Sequence, residues 1–377
     1  MTPIYLDYAA TTPLDPNVLN AMLPFLCEHH GNPSSLHAAG QRARRAVEEA
    51  REKVAHALGA APKEIIFTSS ATESINQALK AVAVEFADCH IITSALEHAA
   101  TLETCRYLQT QGVEVTYLSP SSNGEIAPRQ VADALQANTR LITLMRVNNE
   151  TGVRTDIAAV SEIAKAANVK LFCDAVQAFG FEEVDVNALG VDMLSVSGHK
   201  VYGPKGVGVF YVRAGLEPAP LILGGQQERG FRAGTYNTPS IVGMGAAAEL
   251  AVENTKKIAQ LTALRDGFET QLRQLEGVSV NAENAPRGPK HTSIRVAGVD
   301  GETLLHLLDT LGVQASAGSA CAAGSLEPSH VLLAMGLSPQ DAKASVRFTL
   351  GKDVDAEMLS EAARRFATAV ERCRVFA

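Results

Sequence analysis

The chain of 377 residues carries 46% hydrophobic and 20% charged residues and a formal net charge of −8. That balance belongs to a folded chain long enough for two cores, and it excludes a disordered one. The acidic excess, with no long basic run, weighs against an extended nucleic-acid surface, and no apolar stretch reaches the roughly 20 residues of a membrane span. The start, MTPIYLDYAATT, lacks the basic and apolar segments of a signal peptide, so a cytoplasmic protein is expected.

From about residue 60 to 215, short β-branched runs alternate with helical periods. EIIFTSS (64–70) leads into ATESINQALKAVAVEF, where Ile75, Leu79, Val82 and Phe86 share one helical face. HIITS (90–94), EVTYLS (114–119), RLITLMRV (140–147), VKLFCD (169–174), DMLSVS (192–197) and GVGVFYV (206–212) follow. Helical stretches separate most of them, including DIAAVSEIAKAAN (156–168). Apolar strands with helical crossovers predict a mostly parallel sheet covered on both faces. A short glycine-rich turn joins the last two strands, which leaves an antiparallel pairing open there.

A long helical pattern over 242–276 acts as connector. Beyond it come strand-like GVSVN and HTSIRV, the helix GETLLHLLDTLG, a small-residue loop ASAGSACAAGSLEP, a helix LEPSHVLLAMG, the strand ASVRFTLG and a final amphipathic helix. The looser alternation predicts a smaller α+β domain. The expected division is 15–255 for the large domain, and 1–14 with 256–377 for the small one.

Ligands of open parallel sheets collect beyond the carboxyl ends of the strands. Asp174, followed by Gln177, ends one strand; Ser197, His199 and Lys200 end another; His98 follows a third. In TSSATES, Ser70 reads as an N-cap with Glu73 closing a capping box, leaving the amides of Ala71 and Thr72 outward for a phosphate. Taken singly, each has a plain structural reading: a cap, a turn-closing aspartate, a packed histidine, a surface lysine. Together they fit one demand, a phosphate-bearing ring with a pyridine nitrogen and an aldehyde. The helix-start amides, with Ser197 and His199, take the phosphate. Asp174 holds the ring nitrogen protonated, His98 covers the ring and Lys200 is the Schiff-base lysine.

The six cysteines, Cys27, Cys89, Cys105, Cys173, Cys321 and Cys373, form no C-x-x-C pair, so no zinc or iron–sulfur site is signalled. Five sit in apolar or helical surroundings and read as packed thiols. Cys321 lies among alanines and glycines that offer a core nothing to pack against.

The segments YLDYAATTPLDP, GNPSSLHAAG, TSSATESIN, EHAA, VNNETG, DAVQ, SGHKVYGPKG, ERGFRAGT, SAGSACAAGSLEPSHVL and SVRFTLG resemble the pyridoxal-phosphate cysteine desulfurases, over residues 4 to about 352. The resemblance implies a fold-type I transferase, α/β, with a mostly parallel seven-stranded sheet plus the smaller α+β domain. It implies a homodimer with sites at the subunit interface, where Thr235 reaches the neighbouring phosphate. Asn149 and Gln177 would contact the cofactor, and Asn32, Asn149 and Arg347 the substrate, L-cysteine. Lys200 would remove the α-proton, His98 would manage protons and Cys321 would take the sulfur as a persulfide for an acceptor protein. The chain stops soon after the last helix, at VERCRVFA, where relatives serving the general iron–sulfur scaffold continue. Iron–sulfur assembly, tRNA thiolation and DNA phosphorothioation are therefore all open as destinations, with no direct contact to nucleic acid or membrane expected. A selenocysteine lyase or an aminotransferase of the same fold is the alternative; the latter has no use for Cys321.

Overall fold

Strands form where the sequence runs apolar between polar breaks. The computed structural model describes residues 2–86, 88–318 and 327–376. After β1 (Ile4–Tyr5) come β2 (Ile65–Thr68), β3 (His90–Ser94), β4 (Glu114–Leu118), β5 (Thr139–Met145), β6 (Lys170–Asp174), β7 (Met193–Ser197) and β8 (Gly208–Val212). β2 to β8 make a seven-stranded sheet in the order β2-β8-β7-β6-β5-β3-β4. Pairing is parallel from β4 through β7, while β8 runs antiparallel to both β7 and β2. The short turn after β7 leaves no length for a crossover, and the chain reverses.

Alternate residues of each strand face opposite layers. Ile66, Ile91 and Leu141 pack with Ile75, Leu79 and Val82 of the helix Ala71–Glu85. Their neighbours Phe67, Ile92 and Ile142 pack on the other face with Val47, Val54 and Met244 of the helices Ala38–Leu58 and Thr238–Thr255. With both faces covered, the open edge left for chemistry is the one at the strand ends.

The later chain contributes β9 (Val278–Val280), β10 (His291–Val296), β11 (Val313–Gln314) and β12 (Ser345–Thr349). β12, β10 and β9 form an antiparallel sheet, and β11 pairs in parallel with β1. Ile294 and Phe348 pack there with Leu304, Leu308 and Phe366, and the same cluster takes in Ile4, Leu6 and Tyr8. The first residues of the chain thus belong to the packing of the last.

One expectation is corrected. The pattern over 242–276 is two helices, Thr238–Thr255 and Ile258–Leu272. Lys257 (φ −104°, ψ 8°) leaves the helical range in the polar ENTKK run, where no apolar side chain fixes the turn to a core. No helix among the described residues is long and apolar enough to cross a membrane.

Candidate active site

Asp174 is the last residue of β6, beside Met145 of β5 and Ser195 of β7. Its carboxylate is 7% exposed and accepts from the amide of Val176 at 2.9 Å. Burial pushes its pKa up, while that amide and the charges of His98 and Lys200 pull it back. On the neighbouring strand, β7 ends at Ser197 and the chain enters a 3-10 turn over Gly198–Lys200. Tyr202 follows at φ +64°, a conformation non-glycine residues seldom adopt. The turn holds because the N-terminal segment is laced to it. Lys200 Nζ donates to the carbonyls of Ala9 and Ala10, 2.6 Å each. The carbonyl of His199 accepts from Thr12 N at 2.8 Å, and Thr12 Oγ1 accepts from Tyr202 N at 2.7 Å. Burial, with Lys200 and Lys205 nearby, takes the His199 imidazole down to about 4, so its ring is neutral at ordinary pH.

The helix Ala71–Glu85 starts at the end of β2. Ser70 caps it, accepting from Glu73 N at 3.3 Å. The expected capping box is displaced by one residue: Glu73 accepts from the amide of Ser69 (2.8 Å), not of Ser70, and its other oxygen pairs with Arg232 at 2.9 Å. Gly208 lies against this start so closely that a Cβ there would fall 2.5 Å from the Ser70 carbonyl carbon. The glycine of GVGVF is therefore required by the approach of β8 to the helix N-terminus.

His98 caps the helix Ala99–Thr110, its Nδ1 accepting from Ala100 N at 3.1 Å. Gln177 donates to the carbonyl of Ala9 at 3.0 Å, and its buried Oε1 has no hydrogen-bond partner among the described residues. From the other sheet, Arg347 in the middle of β12 donates through Nη1 to the carbonyls of Asn149 (2.9 Å) and Gly318 (3.1 Å), and through Nη2 to Asp7 (2.7 Å).

These groups share one cavity of about 630 Å³, which brings together Ala71, Thr72, His98, Asn149, Asp174, Gln177, Ser197, His199, Lys200 and Arg347. Asn32 and Thr235 are exposed and do not line it; the Asn32 side chain instead accepts from Ser34 N at 2.9 Å. Cys321 lies outside the described residues. Of the other five cysteines four are buried as expected, but Cys27 is exposed at the end of the helix Pro16–Cys27, which buries only Val18 and Met22. Sequence reading passed over several wall residues. The carbonyls of Ala9 and Ala10 have no side-chain signature at all. Glu150 and His330 also line the cavity; both stand inside quoted motifs, VNNETG and SLEPSHVL, where polar neighbours (Asn148, Asn149 and Glu327) gave no reason to single them out.

The donor set fits a planar ring with a basic nitrogen at one edge, an aldehyde at another and a phosphate beyond. Asp174 suits the nitrogen, Lys200 the aldehyde and the amides at Ala71 and Thr72 the phosphate, while the orphaned Gln177 Oε1 asks for a donor such as a ring hydroxyl. Fold and site together define a pyridoxal-phosphate enzyme of the aminotransferase class.

Comparison with known proteins sharpens this. The model of the class-V aminotransferase family matches residues 4–361, and the chain belongs to that family. A cysteine desulfurase named IscS from Dictyoglomus turgidum is 49% identical over 92% of this chain and 89% of its own length. A solved NifS-like protein superposes with a TM-score of 0.92 at 37% identity, covering 98% of this chain and all of that one. SspA, solved in complex with cysteine, gives a TM-score of 0.82 at 38% identity over 92% of this chain and 98% of its own. Within the family, then, the chain is a pyridoxal-phosphate-dependent cysteine desulfurase.

Proposed function

We propose that this chain takes L-cysteine to L-alanine with the residues named above and holds the sulfur as a persulfide on Cys321 for an acceptor protein. The observation that carries the reading is the meeting of Lys200, Asp174, His98 and Arg347 on one cavity. When bound, pyridoxal phosphate supplies an aldehyde for imine exchange and an electron sink held cationic by Asp174. Arg347 holds the substrate carboxylate: with Nη1 committed to two carbonyls, its buried Nε–H has no partner among the described residues and is a donor left for that purpose. Lys200, once released, takes the proton from the substrate α-carbon. The Cys321 thiolate then attacks the substrate sulfur. The carbon–sulfur bond breaks with its electron pair left on carbon, His98 supplies a proton to the former thiol carbon, Lys200 returns the proton to the α-carbon, and alanine leaves. One sulfur has moved from cysteine to Cys321 without an external oxidant.

The large and small domains, 15–255 and 1–14 with 256–377, place these groups from two sides. A homodimer is part of the proposal. Leu19, Leu23 and Leu26 form an exposed stripe along the helix Pro16–Cys27, and Leu223 is 81% exposed, an apolar surface of the kind that partners cover. Thr235, exposed and outside its own cavity, would serve the neighbour's phosphate, and Asn32 would act in the same assembled site. The acceptor is a protein of iron–sulfur assembly or of tRNA or DNA thiolation, met in the cytoplasm.

Mass spectrometry after cysteine treatment tests this. One added sulfur should map to the peptide containing Cys321, and Cys321→Ser should retain the borohydride-bleached visible band yet form no transferable sulfur. The added sulfur found instead on Cys27, the exposed thiol among the described cysteines, would overturn the assignment.

A further inference from the structure

Glu150 is a carboxylic side chain of the cavity wall that the reaction above does not use. It is 1% exposed, and three groups fix it. Its amide donates to Asn148 Oδ1 at 2.9 Å, which itself is anchored to the carbonyl of Leu96. Its Oε2 accepts from the hydroxyl of Ser329. The same oxygen packs on Gly318, where an added Cβ would fall 2.1 Å from it, so no side chain fits between them. The other oxygen, Oε1, is buried with no hydrogen-bond partner among the described residues.

Gly318 and Ser329 lie on either side of residues 319–326, the stretch that includes Cys321. The first is also held by Arg347 through its carbonyl (3.1 Å), two residues past the ladder that joins Ser316 to Arg347 at 2.7 and 3.2 Å. The second caps the helix His330–Ala334, accepting from Leu332 N at 3.1 Å. We infer that Glu150 is a positioning residue for sulfur transfer, a clasp whose carboxyl ties together the two flanks of the Cys321 segment and registers them against Arg347. A carboxyl is costly to bury, and burial pushes its pKa up while Ser329, His330 and Arg347 pull it back. A side chain serving only to fill space here would be cheaper as an apolar one of the same volume. The inference rests on Cys321 being the sulfur carrier, and the experiment separates the two.

In the holoenzyme, Glu150→Ala should leave the cysteine-induced change of the visible band with an unaltered half-saturation. Single-turnover formation of the Cys321 persulfide should fall about tenfold, a loss in the chemical step and not in binding. Glu150→Gln, which keeps an oxygen acceptor for Ser329, should restore most of that rate. Ser329→Ala opens the clasp without touching the buried acid and should reproduce the defect, which keeps the test usable if Glu150→Ala does not fold. Alkylation of the resting protein by iodoacetamide reads the clasp without turnover: the Cys321 rate should change in Glu150→Ala and Ser329→Ala, with Cys27 as the internal standard. Persulfide formation at the wild-type rate in Ser329→Ala, or a raised half-saturation at unchanged rate in Glu150→Ala, would overturn the clasp. Wild-type protein that gains no sulfur on Cys321 while its alkylation rate still responds to these substitutions would instead overturn the choice of carrier.

Discussion

Two basic groups reach the same cavity from opposite supports. Lys200 rides a 3-10 turn at the end of a fully buried parallel strand and is itself half-buried, held by two backbone carbonyls. Arg347 stands in the middle of an antiparallel strand, 2% exposed, and braces Asp7, Asn149 and Gly318 at once. The contrast fits the role proposed for each. A lysine that exchanges covalent partners needs acceptors it can release, and neutral carbonyls hold an ammonium without locking it. An arginine that orients an anion is best kept rigid and partly dry, because its forked donors then act as a fixed template.

The largest expected effect breaks the comparison on activity. Lys200→Ala should lower alanine formation by about a thousandfold or more, since imine exchange and proton removal are lost together, with thermal stability changed by no more than ~1 kcal/mol. Alanine release near the wild-type rate would refute the role. Arg347→Ala should do the reverse in balance. It leaves Asp7 and the carbonyls of Asn149 and Gly318 without their donor, so denaturant unfolding should show a loss of about 3 kcal/mol beside a raised KM for cysteine. A variant as stable as wild type would mean that Arg347 braces nothing.

The last test concerns a buried acid behind the cavity, beside Asp174. Glu97 is 1% exposed and accepts from Ser94 Oγ (2.7 Å) and Met145 N (3.1 Å), next to Asp174. Burial raises its pKa from 4.5 to about 8, against the pull of those two donors, with the Asp174 charge adding to the rise. The native state thus holds a proton that the unfolded chain releases at lower pH. This stability is fully present below pH 4.5 and is lost progressively as pH rises to about 8. Glu97→Gln should flatten the decline in unfolding free energy across that window, and an unchanged slope would show that Glu97 is ionised in the native protein.

The legibility of the fold followed burial. Strands buried on both faces left continuous apolar runs, and the β6 and β7 ends delivered Asp174 and Lys200 where the pattern put them. The break at Lys257 was hidden because the residues around it, ENTKK, carry neither glycine nor proline to mark a helix end. The chemistry-bearing side chains of the large sheet were legible for the same reason, each being a polar residue at the close of an apolar run. Glu150 and His330 were not, since their role depends on loops brought together from distant sequence, and the carbonyls under Lys200 leave no trace in residue type.

The segment from Ile4 to Thr12 pairs with β11, bridges Thr349, supplies Asp7 to Arg347 and supplies the carbonyls under Lys200. Within the described chain these are among the first residues made, yet half of their partners are among the last. On the ribosome the seven-stranded sheet has all its strands once Val212 has emerged, whereas Asp7 must wait until Arg347 is translated. The sheet can therefore close early while the cavity is finished only near the end of synthesis, so a nascent chain still short of Arg347 cannot bring together the lysine and the arginine proposed for the chemistry.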